Sequence, residues 1–234
     1  MVLTCVSCYY PVKNKHKEDN YKKWFEKTLK INCPYVFFTD KENMEEIKKY
    51  RGDLPTYIIV YDINKFYSYR FKENMEIHRL HCPSRELNII WNEKIFMMKI
   101  AQEINPYQSE WFQWVDAGIC IYRNHLPPAE DLTKSSLLKV LPKDKFIYSS
   151  SNKINEKCIL DENYFHCVSG TSYLIHKDFM NDYVDLYYDY LKKKITKKNI
   201  WTDQLIHTHI LKDFPHLFFQ IADGYGNVTS KLYN

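Results

Sequence analysis

The chain has 234 residues, 45% of them apolar and 26% charged, which is the composition of a globular protein long enough to bury a full core. Its net charge of +4 is too small to argue for nucleic acid as a partner, and no nucleic-acid-binding motif accompanies it; a small anionic ligand suits it equally well. Twenty Tyr and thirteen Phe point to a ring-rich core and ring-lined clefts.

Val2 to Cys8 reads as a buried first strand. After a polar stretch, Tyr21, Trp24, Phe25 and Leu29 recur at helical spacing. Pro34 breaks the chain before a short apolar strand, Tyr35 to Phe38, that runs out at Thr39-Asp40. A short helix is marked by Met44, Ile47 and Tyr50, and Arg51-Gly52-Asp53 stops it. Tyr57 to Tyr61 is a third strand, ending at Asp62. This β-α-β-α-β rhythm predicts an α/β fold, with a mostly parallel sheet flanked by helices.

The stretch 63–82 is aromatic and charged, with a helix expected around Phe71 to Leu80. Pro83-Ser84 opens a clear helix through Ala101, with Leu87, Ile90, Trp91, Ile95 and Met98 on its buried face. Asn105-Pro106 ends it and leads to Trp111-Phe112-Gln113-Trp114-Val115, a strand that stops at Asp116-Ala117-Gly118. Pro127-Pro128 begins a loop, and Lys145 to Ser149 is a further strand. Residues 150–162 read as a polar excursion. Tyr164 to Val168 and Thr171 to Ile175 read as two strands, or one bent strand, with a break at Gly170. His176 to Lys194 is an amphipathic helix whose lysine-rich end suits the helix dipole. Trp201 to Lys212 is a second helix and Leu217 to Ile221 a last strand; Asp223 to Asn227 is expected to be a flexible tail.

Chemistry concentrates at two places. A buried strand does not tolerate an unpaired charge, so Asp116 is expected where its strand emerges, beside a glycine that admits close approach. Ligands of open α/β sheets gather at that edge, and an acid there can hold a cation and through it a diphosphate. Lys94, between Trp91 and Met98 on a mainly apolar surface, is a candidate to neutralise phosphate charge; Lys99 reads as a wet-face lysine. The second place is Thr202-Asp203-Gln204, a helix start with Asp203 and His207 four apart on one face. Asp203 reads either as a partner of the helix dipole or as a general base, and the pair could ligate a metal. Asp40 and Asp62 read as caps or as contacts to a ribose or base, with the cap favoured. Thr4 is a candidate contact if the first strand borders the site.

The seven cysteines (Cys5, Cys8, Cys33, Cys82, Cys120, Cys158 and Cys167) form an odd set without paired zinc-type spacing and are expected as free thiols. No signal peptide and no membrane-length apolar run is read from the sequence, so a cytoplasmic location is expected. Asn227-Val228-Thr229 matches a glycosylation sequon that this context makes accidental.

Several stretches together resemble the HtrL/YibB-type proteins, glycosyltransferase-like proteins of the GT-A fold. These are Tyr21-Lys22-Lys23-Trp24; Pro34-Tyr35-Val36-Phe37-Phe38-Thr39-Asp40; Trp91-Asn92-Glu93-Lys94; Trp114-Val115-Asp116-Ala117-Gly118; Ser169-Gly170-Thr171; Trp201-Thr202-Asp203-Gln204; and Phe214-Pro215-His216-Leu217-Phe218. The resemblance implies one GT-A-like domain over residues 1–234, a nucleoside-diphosphate sugar as donor, an acceptor it does not identify, and a divalent metal (Mn²⁺ or Mg²⁺). With such a donor, the candidate site is Thr4 (if the first strand borders it), Asp40, Lys94, Asp116, Ala117 and Gly118, with Asp203 and Gln204 facing sugar or acceptor. GT-A enzymes usually hold the metal with Asp-x-Asp. Here Trp114 stands at the first acid, which leaves Asp116 and points to His207 or His209 for a second ligand. A non-catalytic nucleotide-sugar-binding module of the same fold is the alternative that the incomplete motif favours.

Overall fold

The computed structural model describes residues 2–152, 166–195 and 201–234. The expected excursion at 150–162 falls largely outside them, as do Cys158, Tyr164, Lys197 and Lys198. The strands are β1 (Leu3–Tyr9), β2 (Tyr35–Thr39), β3 (Thr56–Val60), β4 (Trp111–Val115), β5 (Phe146–Ser150), β6 (Val168–His176) and β7 (Phe218–Asp223). The α-helices are α1 (Glu18–Thr28), α2 (Met44–Arg51), α3 (Arg85–Ile104), α4 (Lys177–Ile195), α5 (Asp203–Asp213) and α6 (Asn227–Leu232).

The seven strands of the described residues form one sheet in the order β3-β2-β1-β4-β6-β5-β7. β6 runs antiparallel to both of its neighbours, and the other pairings are parallel. The fold is therefore α/β, with a mixed, mostly parallel sheet and helices on both faces. Because strand side chains alternate in direction, each strand feeds two cores. In β4, Phe112 and Trp114 enter the core under α3, α4 and α5. Trp111 and Val115 enter the opposite core, under α1 and α6. Gln113, fully buried between them, donates to Ser172 Oγ at 2.9 Å and Thr229 Oγ1 at 2.8 Å.

That last bond corrects one expectation. The chain after Asp223 is not a loose tail: Val228, Thr229 and Leu232 of α6 are buried, and Thr229 is tied to the centre of the sheet. A second correction concerns 71–80. The residues from Ser68 to Asn74 form a 3₁₀ segment instead of an α-helix. The buried Glu93 carboxylate of α3 accepts from the Tyr67 and Ser68 amides at 3.0 and 2.8 Å and from Ser68 Oγ at 2.7 Å, so these backbone donors are spent on α3. β6 passes through Gly170 without a break.

α3 starts where its cap predicts: the Ser84 hydroxyl accepts from Leu87 N at 3.2 Å. It ends at Asn105, which is left-handed at φ 38°. The described cysteines carry no disulfide. No helix among the described residues is long and apolar enough to cross a membrane.

Candidate active site

The chain leaves β1 to build β2 and β3 on one side, then returns to place β4 on the other side of β1. The two strand ends therefore diverge, and a crevice opens above them; this is the switch point at which open α/β sheets bind ligands. A cleft sits there with two lobes. The narrower one, about 90 Å³, lies over Cys8, Tyr9 and Tyr10 and is walled by Tyr21, Trp91 and Trp114. The wider one, about 310 Å³, reaches Gly170, Asp203, Gln204 and Tyr225. Lys94, Asp116 and Arg123 border both.

The floor is an ion cluster. Lys94, 4% exposed, rises from α3 with Nζ 3.0 Å from Asp116 Oδ1 and 3.1 Å from Asp203 Oδ2, and it donates to Gly170 O at 2.9 Å. Burial alone would depress the lysine pKa, but the two carboxylates outweigh it and push it upward, so Lys94 stays charged. Burial raises the pKa of Asp203, and Lys94 counters that rise in part. Asp116 also accepts from the Trp114 indole Nε1 at 2.8 Å; both contacts fall on Oδ1, and the side chain keeps 31% exposure toward the cleft.

Each member is held by local structure. Asp116 follows β4 directly, and its amide donates to Thr171 O at 2.9 Å. Asp203 opens α5, capped by the Thr202 hydroxyl at 3.5 Å from Leu205 N. Asn92, one turn of α3 from Asn88 and fully buried, donates to Trp201 O at 2.8 Å and so pins the start of α5 to the helix that carries Lys94. A Cβ at Gly170 would stand 2.6 Å from Asp203 Oδ2 and 2.7 Å from Gln204 Cγ, so only glycine lets α5 approach β6 this closely.

The turn after Asp116 is packed by α1. A Cβ at Gly118 would meet Trp24 at 3.0 Å and Tyr21 at 3.2 Å, and Ala117 O accepts from the Thr28 hydroxyl. Gly118 O accepts from Arg123 Nε at 2.8 Å, while the guanidinium lies 3.8 Å over the Trp24 ring. Arg123 is the cation that motif reading passed over. A rare arginine in a lysine-dominated chain, five residues beyond Gly118, was the available signal.

Of the residues expected at the site, Lys94, Asp116, Ala117, Gly118, Asp203 and Gln204 meet in this cleft. Gln204 is partly buried, with Nε2 3.3 Å from Val168 O. Five others do not reach it. Thr4 lies toward the far end of β1, buried, with its hydroxyl 2.7 Å from Ser109 Oγ. Asp40 is a turn cap, accepting from Asn43 N at 2.9 Å and Asn43 Nδ2 at 2.6 Å. Asp62 precedes a 3₁₀ turn at the surface, makes no side-chain cap to it, and pairs with Lys65 at 3.1 Å. His207 is a core residue: fully buried among Phe146, Tyr173, Tyr183 and Tyr187, with Nδ1 2.7 Å from the Tyr183 hydroxyl. Burial holds its pKa down near 3. His209 packs on the Trp201 ring at 5.0 Å. Neither histidine lines the cleft beside Asp116.

These positions decide how a divalent metal fits. Hard cations take several oxygen ligands. Here the two acids of the cleft already face one buried ammonium, and Asp203 is 3% exposed. Among the described residues no three His, Cys, Asp or Glu side chains converge to hold a metal. The donor set does not fit a protein-held Mn²⁺ or Mg²⁺.

The solved structure of a 4-diphosphocytidyl-2C-methyl-D-erythritol synthase from Anaerococcus prevotii DSM 20548 is similar, at TM-score 0.44 and 11% identity over 96% of this chain and 90% of that one. No curated protein matches in sequence. The family described as "Bacterial protein of unknown function (HtrL_YibB)" matches residues 71–228, a span that carries Lys94, Asp116, Gly170 and Asp203, and the chain belongs to that family.

Proposed function

We propose that the chain is a glycosyltransferase that binds a nucleoside-diphosphate sugar and transfers the sugar to an acceptor. The observation that carries this reading is the two-lobed cleft at the β1–β4 switch point, with Lys94, Asp116 and Arg123 shared by both lobes. The ring-walled lobe suits a nucleoside, whose base and ribose offer a flat face and polar edges. The diphosphate then falls at the junction, beside the Arg123 guanidinium, and the sugar enters the wider lobe toward Gln204. The open side of Asp116 accepts hydroxyl hydrogen bonds from sugar or ribose.

In the transfer the acceptor oxygen bonds to the anomeric carbon, the bond from that carbon to the diphosphate breaks, and the acceptor's proton passes to the departing diphosphate or to water. Charge grows on the leaving diphosphate, and a fixed guanidinium stabilises it most where water is excluded. Asp203, 3% exposed at the wall of the wider lobe, acts by holding Lys94, as a positioning residue. The test is a panel of nucleotide sugars scored for hydrolysis, transfer and thermal stabilisation. A ligand that binds only the folded state must raise the melting temperature. A panel that leaves it unmoved at millimolar concentration defeats the reading.

One observation favours a second reading, a binding module without turnover: Trp114 occupies the place of the first acid of the motif. A parent protein that is stabilised by donor yet consumes none against a broad acceptor panel would establish it.

A further inference from the structure

We infer that Lys94 takes the place of the divalent metal and that the nucleotide site works without one. This rests on the nucleotide-sugar reading for its ligand, but its geometry stands independently. Nζ donates to Gly170 O at 2.9 Å and forms ion pairs with Asp116 Oδ1 at 3.0 Å and Asp203 Oδ2 at 3.1 Å. These oxygens come from β6, the end of β4 and the start of α5, so the lysine ties together the elements that form the cleft floor.

The lysine is not a mobile side chain that could give way to an ion. It is 4% exposed and lies 5.5 Å from the centre of the Trp114 ring. Its helix is pinned to the start of α5 through Asn92, which also accepts from the Tyr187 hydroxyl at 2.9 Å. A divalent ion on Asp116 would stand beside this buried positive charge, where repulsion is poorly screened. It would also share a carboxylate whose Oδ1 already faces Lys94 and the indole of Trp114. The tryptophan at the first acid position is thus consistent with the lysine: it removes a metal ligand, supplies a ring to the cation and donates to the acid that stays.

Lys94, spent on the floor, acts on the diphosphate by its field alone. Direct contact falls to Arg123. Its Nε is used on Gly118 and its face on Trp24, and the terminal nitrogens of the fork make no hydrogen bond to protein among the described residues. A planar guanidinium held this way matches two phosphate oxygens.

The experiment has two arms on the full chain. In the first, Mn²⁺ alone is titrated by calorimetry and by its paramagnetic resonance signal. No saturable binding is expected in the parent, whereas Lys94→Met, which vacates the space between Asp116 and Asp203, gains Mn²⁺-dependent thermal stabilisation. Saturable Mn²⁺ binding by the parent that Asp116→Asn abolishes would overturn the inference, whether or not the lysine variant folds. In the second, uridine and guanosine diphosphates are titrated in EDTA and in MnCl₂. Equal affinity in both supports the inference, and tightening by about tenfold or more with metal overturns it. If neither nucleotide binds in either buffer, the nucleotide reading falls, while the metal titration still decides the role of Lys94.

Discussion

The Trp114 indole donates to Asp116 Oδ1 across 2.8 Å, two residues along one strand end, so that the position of a missing acid instead supports the acid that remains. The same oxygen lies 3.0 Å from Lys94 Nζ, which leaves the other side of the carboxylate for the cleft. The two residues form one device and separate cleanly by substitution. Trp114→Phe keeps the ring beside Lys94 and removes the donor. The lost hydrogen bond runs to a charged acceptor and contributes about 1.5–3 kcal/mol, and the smaller ring also leaves a void at a site that is 1% exposed. Asp116→Asn keeps an acceptor for the indole but takes away one of two counter-charges from a buried lysine. It should cost about 1–3 kcal/mol and lower nucleotide-sugar affinity by about tenfold or more. Chemical denaturation and donor titration of both variants measure this; an Asp116→Asn protein that binds donor like the parent would take Asp116 out of the site.

Gly170 is the position where a single methyl group should do the most damage near the cleft. Its added carbon meets Asp203 Oδ2 at 2.6 Å and Gln204 Cγ at 2.7 Å, and the start of α5 behind them is pinned by Asn92. Gly170→Ala should destabilise by about 1–3 kcal/mol, as overpacking does. Gly118→Ala meets aromatic rings at 3.0–3.3 Å and should cost less, because those rings can shift by a few tenths of an ångström. Urea midpoints of the two variants at constant m-value give the comparison, and equal midpoints would contradict it.

Glu93 predicts a pH dependence. Burial pushes its carboxyl up from 4.5 to about 7, although Ser68, Tyr67 and Tyr61 all donate to it. Between those two values the folded protein keeps a proton that the unfolded chain has lost. Stability from this group therefore falls as pH rises through the window and levels off above it, by on the order of 3 kcal/mol in all. Glu93→Gln should flatten that slope. Unfolding free energies measured from pH 4.5 to 8 in both proteins decide the point; parallel curves would mean that Glu93 is ionised throughout.

Arg51 is a buried cation that pairs with no acid among the described residues. Its terminal nitrogens donate to the carbonyls of Leu29, Ile31, Cys33 and Pro55 at 2.7–3.3 Å, and its guanidinium lies 4.1 Å over the Tyr35 ring. Arg51→Met leaves those carbonyls without this donor and should cost about 3 kcal/mol or more. Nucleotide binding per folded molecule should be unchanged, since Arg51 borders neither lobe of the cleft. Loss of binding in a folded variant would show that the loop before β2 reaches the site.

The element order, the strand end at Asp116, the α3 cap at Ser84 and the α5 cap at Thr202 were legible in the sequence, because each rests on local chemistry: apolar periodicity, a proline or glycine break, a hydroxyl before a helix. Helical spacing likewise puts Asp203 and His207 on one face. It cannot say what that face meets. A separation of four residues is about 6 Å along a helix axis. In the packed molecule that step leads from the edge of the cleft at Asp203 into the aromatic core at His207, and a candidate metal ligand becomes a buried neutral ring. Thr4 and Asp40 show the same limit, since strand order decides which end of which strand borders a crevice. The convergence of Lys94, Asp116 and Asp203 joins residues 22 and 109 positions apart from the lysine along the chain. Only the antiparallel insertion of β6 beside β4, with a glycine at 170, brings α5 close enough for one ammonium to face both acids.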